Sequence, residues 1–163
     1  TTRWFAAASS GPESASYAPS MGEPEYAPSP WEFVADHVER YLASDGEDGY
    51  EMEGAPCVIL TTTGRRTGKV RRTPLIRVHD GEHYLVVASL GGAPRHPVWY
   101  LNLLADAEVT LQDRGVVHEL VARTASPEEK ARLWPVAVAA WPDYANYQAK
   151  TDRDIPLVVL GVR

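Results

Sequence analysis

Six of the sixteen Lys and Arg residues lie within thirteen positions: Arg65, Arg66, Lys69, Arg71, Arg72 and Arg77. Most of them fall in the run Thr61-Thr62-Thr63-Gly64-Arg65-Arg66-Thr67-Gly68-Lys69-Val70-Arg71-Arg72-Thr73. Crowded cations repel one another, so such a cluster calls for a compensating anion. Gly64 and Gly68 let the backbone turn and come close to a ligand. Hydroxyl and guanidinium groups on both sides suit a multiply charged phosphate or carboxylate. The chemistry suggested is a grip on the anionic tail of a cofactor. Nucleic acid is disfavoured, because no aromatic side chain is interleaved to stack bases.

Three further segments carry chemistry-capable groups. Ala88-Ser89-Leu90-Gly91-Gly92 ends an apolar run in small residues. A planar ligand could lie against that backbone, met by the Ser89 hydroxyl and nearby amides; a plain strand-end turn reads equally well. In Pro97-Val98-Trp99-Tyr100-Leu101-Asn102, two aromatic rings at a helix start can wall a ring system or fill a core. Trp141, Tyr144 and Tyr147 recur at a spacing of three, near one helical face. They form either a core stripe or a substrate lid with phenol donors. His37, His79, His83, His96 and His118 show no metal-ligand spacing, so no metal is expected. There is no Gly-x-Ser-x-Gly elbow and no Gly-x-Gly-x-x-Gly fingerprint, which disfavours hydrolase and Rossmann readings. Cys57, the single cysteine, stands in an apolar run and reads as a core residue.

The elements that must position these groups follow from pattern. A chain of 163 residues suits one domain with a core. Residues 1–53 hold eleven Asp and Glu against two Arg, whereas 54–163 hold eleven against fourteen Lys and Arg. We therefore divide the chain into a flexible acidic arm at 1–28, an amphipathic helix and linker at 29–53, and a domain at 54–163. No apolar stretch is long enough to span a membrane and no secretory signal is visible, so the cytoplasm is the default compartment. Ser29-Pro30 reads as a helix cap, with Trp31, Val34, Val38 and Tyr41 on one apolar face. Strands are expected at 57–63, 70–79, 83–89, 107–112, 115–124 and 155–161. Asp80-Gly81 and Asp113-Arg114-Gly115 mark hairpins. Helices are expected from Pro97 to Asp106, from Ser126-Pro127, and from Asp143 to about Lys150, with Pro142 breaking the second from the third. The sum is mainly β with helices (α+β): a six-stranded antiparallel barrel with helical covers.

The segments TTTGRRTGKVRRTPL, VVASLGGAPRHPVWYLNL and WPDYANYQAKTDRDIPLVVL together resemble the deazaflavin-dependent nitroreductase family. The resemblance runs from about Gly54 to Leu160. It implies a split β-barrel of the flavin-reductase and pyridoxamine-phosphate-oxidase type, working with coenzyme F-420, a deazaflavin with a phosphate and an oligoglutamate tail. By that resemblance Arg65, Arg66, Thr67, Arg71, Arg72, Thr73, Pro74, Leu75 and Ile76 hold the tail, phosphate and linker. Val87, Ala88, Ser89 and Leu90 lie along the ring, and Val98, Trp99, Tyr100, Leu101 and Asn102 close the groove. Tyr144 stands at the family's active-site tyrosine, with Tyr147 and Ser89 orienting or protonating the acceptor. Trp99 and Trp141 border the acceptor pocket, Trp141 standing where related reductases can carry a tyrosine. The implied activity is hydride transfer from the reduced deazaflavin to a quinone or activated conjugated carbonyl, with nitro compounds as side substrates. The alternatives are a flavin mononucleotide (FMN) oxidoreductase on the same barrel and a non-catalytic deazaflavin-binding protein. A monomer or homodimer is expected, with no nucleic-acid partner; peripheral contact with the inner face of the membrane is compatible with the resemblance.

Overall fold

Alternation of side chains along the strands lets each central strand serve two cores at once. The structure is a computed structural model that describes residues 24–163. Among the described residues there are four α-helices and eight strands. In chain order they are α1 (Glu32–Ala43), β1 (Glu51–Met52), β2 (Ala55–Thr63), β3 (Val70–Ile76), β4 (Val78–His79), β5 (Tyr84–Val87), α2 (Val98–Ala105), β6 (Glu108–Asp113), β7 (Val116–Thr124), α3 (Pro127–Ala140), α4 (Asp143–Ala149) and β8 (Leu157–Gly161). The strands follow the order β1-β2-β6-β7-β8-β5-β4, with β3 on the other edge of β2. Every paired strand is antiparallel. The sheet curls into a half-barrel of the split-barrel type.

Val58, Leu60, Val86, Leu111, Val158 and Leu160 point inward and pack on Tyr100 and Leu103 of α2. Their sequence neighbours Leu85, Val87, Leu157 and Val159 point the other way, onto Leu133 and Ala137 of α3 and Tyr144 of α4. Cys57 and Ile59 meet Val38 and Tyr41 of α1. Each fully buried Val, Leu or Ile contributes roughly 1.5–3 kcal/mol. Cys57 is a core residue, as expected: its thiol bonds to the Gly49 carbonyl at 3.1 Å, and burial pushes its pKa up to about 11. A thiol held neutral in this way is a poor nucleophile.

The strand count differs from the expected six. β1 is a two-residue addition, and the expected 70–79 strand divides at Arg77. There the chain changes partner: β3 pairs with β2, whereas β4 pairs with β5. The Arg77 amide donates to the Pro56 carbonyl at 2.8 Å, and its Nε to Asp113 Oδ2 at 2.7 Å. These bonds hold a corner that a continuous β-branched pattern does not reveal. Pro74 is tolerated because β3 lies at an edge. The last strand begins at Leu157, not 155.

Helix α1 also starts later than the Ser-Pro pair suggests. Its cap is Trp31, in extended conformation, while Ser29 Oγ accepts from the Trp31 amide at 3.2 Å. Pro30 keeps Ser29 out of the helical region, so the pair forms a turn before the helix. Ser126 caps α3 as expected, accepting from the Glu129 amide. The expected arm falls mostly on 1–23, outside the described residues. Residues 25–27, by contrast, run along β3: the Val70 amide donates to Glu25 O at 2.8 Å and the Ala27 amide to Val70 O at 2.9 Å.

Tyr41 ties α1 to the barrel. Its hydroxyl donates to the Cys57 carbonyl at 3.1 Å and accepts from the Arg114 amide at 2.8 Å. Removing a buried partner costs about 1–3 kcal/mol. Tyr41→Phe should therefore lower the unfolding free energy by an amount of that order, seen as a lower urea midpoint with an unchanged m-value. An unchanged midpoint would show that the hydroxyl does not anchor the helix.

Candidate functional site

The basic hairpin joins β2 to β3. Gly64 N–H donates to Lys69 O at 2.7 Å and Gly68 N–H to Gly64 O at 2.8 Å, closing the loop. Gly68 has φ +73°, a conformation glycine adopts without strain. Asn102, on α2, staples this loop from behind: its Oδ1 accepts from the Arg65 amide at 3.0 Å, and its Nδ2 donates to Thr62 Oγ1 at 3.3 Å. Expected as a ligand contact, Asn102 thus also has a structural role.

A cavity of about 470 Å³ opens beside the hairpin, between α1, β3, the end of β5, α2 and α4. Fourteen of the expected residues line it: Arg71, Arg72, Thr73, Leu75, Ile76, Val87, Ser89, Leu90, Val98, Trp99, Asn102, Trp141, Tyr144 and Tyr147. The others do not. Arg65, Arg66 and Thr67 sit exposed on the hairpin loop, and Leu101 is half-buried outside the lining. Pro74 and Ala88 are buried within the fold. Tyr100 belongs to the core, where its hydroxyl shares a 2.8 Å hydrogen bond with Thr124 Oγ1.

The cavity also has walls that motif reading missed. Ser29, Pro30, Trp31 and Val34 supply one side, Met52 and Glu53 another, and Arg95 and His96 complete the lining beside the Leu90-Gly91 turn. No local signal marks residues 29–34 for this place, because folding alone brings them to the barrel. Trp31 is 55 % exposed and stacks on Phe33, ring centroids 6.0 Å apart. It therefore lies at the cavity mouth and not in the core stripe that its spacing suggested. Arg72 lies over the Tyr26 ring at 4.6 Å, and Lys69 pairs with Glu25 at 3.3 Å.

Polar groups around this space are in defined states. Burial pushes the Tyr144 phenol well above the ordinary tyrosine range, with Tyr147 adding to the shift. The hydroxyl is neutral at pH 7 and able to donate. Tyr147 lies against it, ring centroids 6.1 Å apart, and the Tyr147 oxygen accepts from Trp141 Nε1 at 3.4 Å. The imidazole of His96 is held below its usual pKa, first by burial and then by the Arg153 cation. The site thus combines guanidinium groups with aromatic, phenol-bearing walls.

Comparison with known proteins adds an independent finding. The family model for F420H(2)-dependent quinone reductase matches residues 33–161. The F420H(2)-dependent quinone reductase Rv1261c of Mycobacterium tuberculosis is 39 % identical over 131 residues, covering 78 % of this chain and 88 % of that protein. A solved F420-H2 dependent reductase (FDR-A) is 46 % identical with a TM-score of 0.61, covering 64 % of this chain and 93 % of its own. A second solved chain, described as a domain-swapped dimer, is 43 % identical with a TM-score of 0.63, covering 81 % and 99 %. The matched span takes in α1, every strand from β1 to β8 and each wall of the cavity after residue 32, and by it this chain belongs to the F420H(2)-dependent quinone reductase family.

Proposed function

We propose that this chain binds coenzyme F-420 in the cavity and reduces a quinone or similarly activated conjugated carbonyl with it. The observation that carries the reading is the make-up of the cavity lining, which combines the guanidinium groups of Arg71, Arg72 and Arg95 with the hydroxyls of Ser89, Tyr144 and Tyr147 among apolar and indole surfaces. That donor set fits the coenzyme: cations suit its phosphate and carboxylates, and flat apolar walls suit its ring. Arg65 and Arg66, exposed on the neighbouring loop, lie where an extended anionic tail leaving the cavity would pass.

When bound in reduced form, the deazaflavin supplies the hydride. The protein's part is to hold, orient and polarise. Val87 and Leu90 bound the ring on the barrel side, and Trp99 and Trp141 confine the acceptor. The Tyr144 phenol donates a hydrogen bond to the acceptor oxygen as negative charge gathers there. Tyr147, fixed by Trp141, is the second donor in reach. Because the Tyr144 phenol stays protonated far above neutrality, its donation does not change across ordinary assay pH.

Two variants separate binding from chemistry. Arg71→Ala should weaken coenzyme binding on the order of tenfold to a hundredfold, the scale of a charge-assisted hydrogen bond, with the melting temperature kept. Tyr144→Phe should retain the coenzyme dissociation constant yet slow oxidation of the reduced coenzyme by menadione. Equal turnover in Tyr144→Phe would remove its hydroxyl from the reaction, and unaltered affinity in Arg71→Ala would move the tail elsewhere.

A further inference from the structure

Arg153 lies outside the cavity lining, yet it determines the shape of one wall. Its guanidinium makes four contacts with the segment after β5. Nε donates to the Ala93 carbonyl at 2.8 Å, Nη1 to the Ala88 carbonyl at 3.1 Å, and Nη2 to the Ser89 carbonyl at 2.7 Å. The fourth is with His96 Nδ1, 3.2 Å from Nη1. The arginine backbone is itself fixed, since Gln148 Nε2 donates to its carbonyl at 2.8 Å. Among the described residues, none of the ion pairs includes Arg153. A partly buried guanidinium without a carboxylate partner is an expensive way to brace a loop.

What it braces is a conformation the chain would not choose alone. Ser89 is right-handed (φ −80°, ψ −38°) and Leu90 left-handed (φ +44°), an unfavourable region for a leucine. A right-handed residue followed by a left-handed one turns successive amide N–H groups toward a common point, forming an anion-binding concavity. In a trans peptide the N–H points opposite the carbonyl. Drawing the Ala88 and Ser89 carbonyls to Arg153 therefore turns the Ser89 and Leu90 N–H groups away from it. Both residues line the cavity, and among the described residues neither N–H donates to a protein acceptor. Gly92 closes the turn against α4: a Cβ there would lie 2.7 Å from the Tyr147 carbonyl oxygen.

We propose that Arg153 is a positioning residue of this site, holding the Ser89 and Leu90 amides toward the cavity as paired donors for an electronegative atom of the bound ring system. The inference rests on the coenzyme reading above. Arg153 touches no ligand; it acts through the two peptides, and its unpaired charge strengthens them as donors. It also makes His96 accept at Nδ1, which leaves the neutral imidazole with its proton on Nε2.

Arg153→Lys tests this, because an ammonium keeps the charge but cannot span three carbonyls. Three quantities are compared with the parent protein: coenzyme F-420 affinity by tryptophan quenching, melting temperature, and amide exchange at Gly92 and Ala93. The amides of Gly92 and Ala93 donate within the braced turn. The expected result is faster exchange at both amides and affinity lower by about tenfold or more, with KM for menadione little changed. Arg153→Gln, which still donates to one carbonyl, should show the same loss and serves if the lysine variant folds poorly. Parental affinity in either folded variant, with exchange accelerated, would reduce Arg153 to a structural brace and overturn the proposal. Absence of coenzyme binding by the parent protein would instead overturn the coenzyme reading, an outcome visible before any variant is made.

Discussion

Seven consecutive residue pairs join β2 to β3, from Cys57 opposite Ile76 to Thr63 opposite Val70, and the rest of the structure hangs on that ladder. β2 buries one face against the barrel interior and the other against α1, so its register cannot slip by one residue without exposing both sets. Its far edge carries β6 and hence the remaining sheet. β3 inherits the fixed register and carries Arg71, Arg72 and Thr73 to the cavity wall. Cations that repel one another are thereby held at set positions by backbone pairing and not by one another.

The same logic of bracing from behind recurs around the cavity. Asn102 pins the hairpin loop by its backbone, Arg153 pins the turn after β5, and Gly92 lets that turn press against α4. Most of these bracing bonds go to main chain, the exceptions being Thr62 Oγ1 and His96 Nδ1. Such preorganisation spares a bound molecule the cost of ordering its own site. At the opposite wall, Tyr26 covers Arg72 and Glu25 pairs with Lys69, so part of the cationic surface is screened by the segment that leads into α1.

Most of this was legible where local chemistry decides the outcome. The Asp80-Gly81 and Arg114-Gly115 turns, the Ser126-Pro127 helix start and the break at Pro142 each follow from backbone preferences of the residues themselves. The basic run was legible as a local concentration of charge, whereas spacing alone left Tyr144 and Tyr147 open between core and lid; the structure puts Tyr144 in both, packed in the core behind α3 and lining the cavity. The corner at Arg77 was not legible, because a strand that changes partners keeps an unbroken β pattern while its hydrogen bonds move elsewhere. The walls from Ser29 to Val34 and at Met52 were hidden for another reason: only the docking of α1 brings them to the barrel. Arg153 was the hardest to see. It acts through carbonyl oxygens, which have no sequence signature, and no side-chain motif advertises it.

Membership in the F420H(2)-dependent quinone reductase family and the arginine- and aromatic-lined cavity converge on one central claim, that the cavity is a deazaflavin site. Trp31, Trp99 and Trp141 all line it, so the protein carries its own reporters. The decisive measurement is a titration of the purified chain with coenzyme F-420, following tryptophan emission at low and high ionic strength. A deazaflavin site predicts saturable quenching that weakens as salt screens the arginines, with FMN unable to compete at matched concentration. Unquenched emission, or tighter binding of FMN than of the deazaflavin, would contradict it.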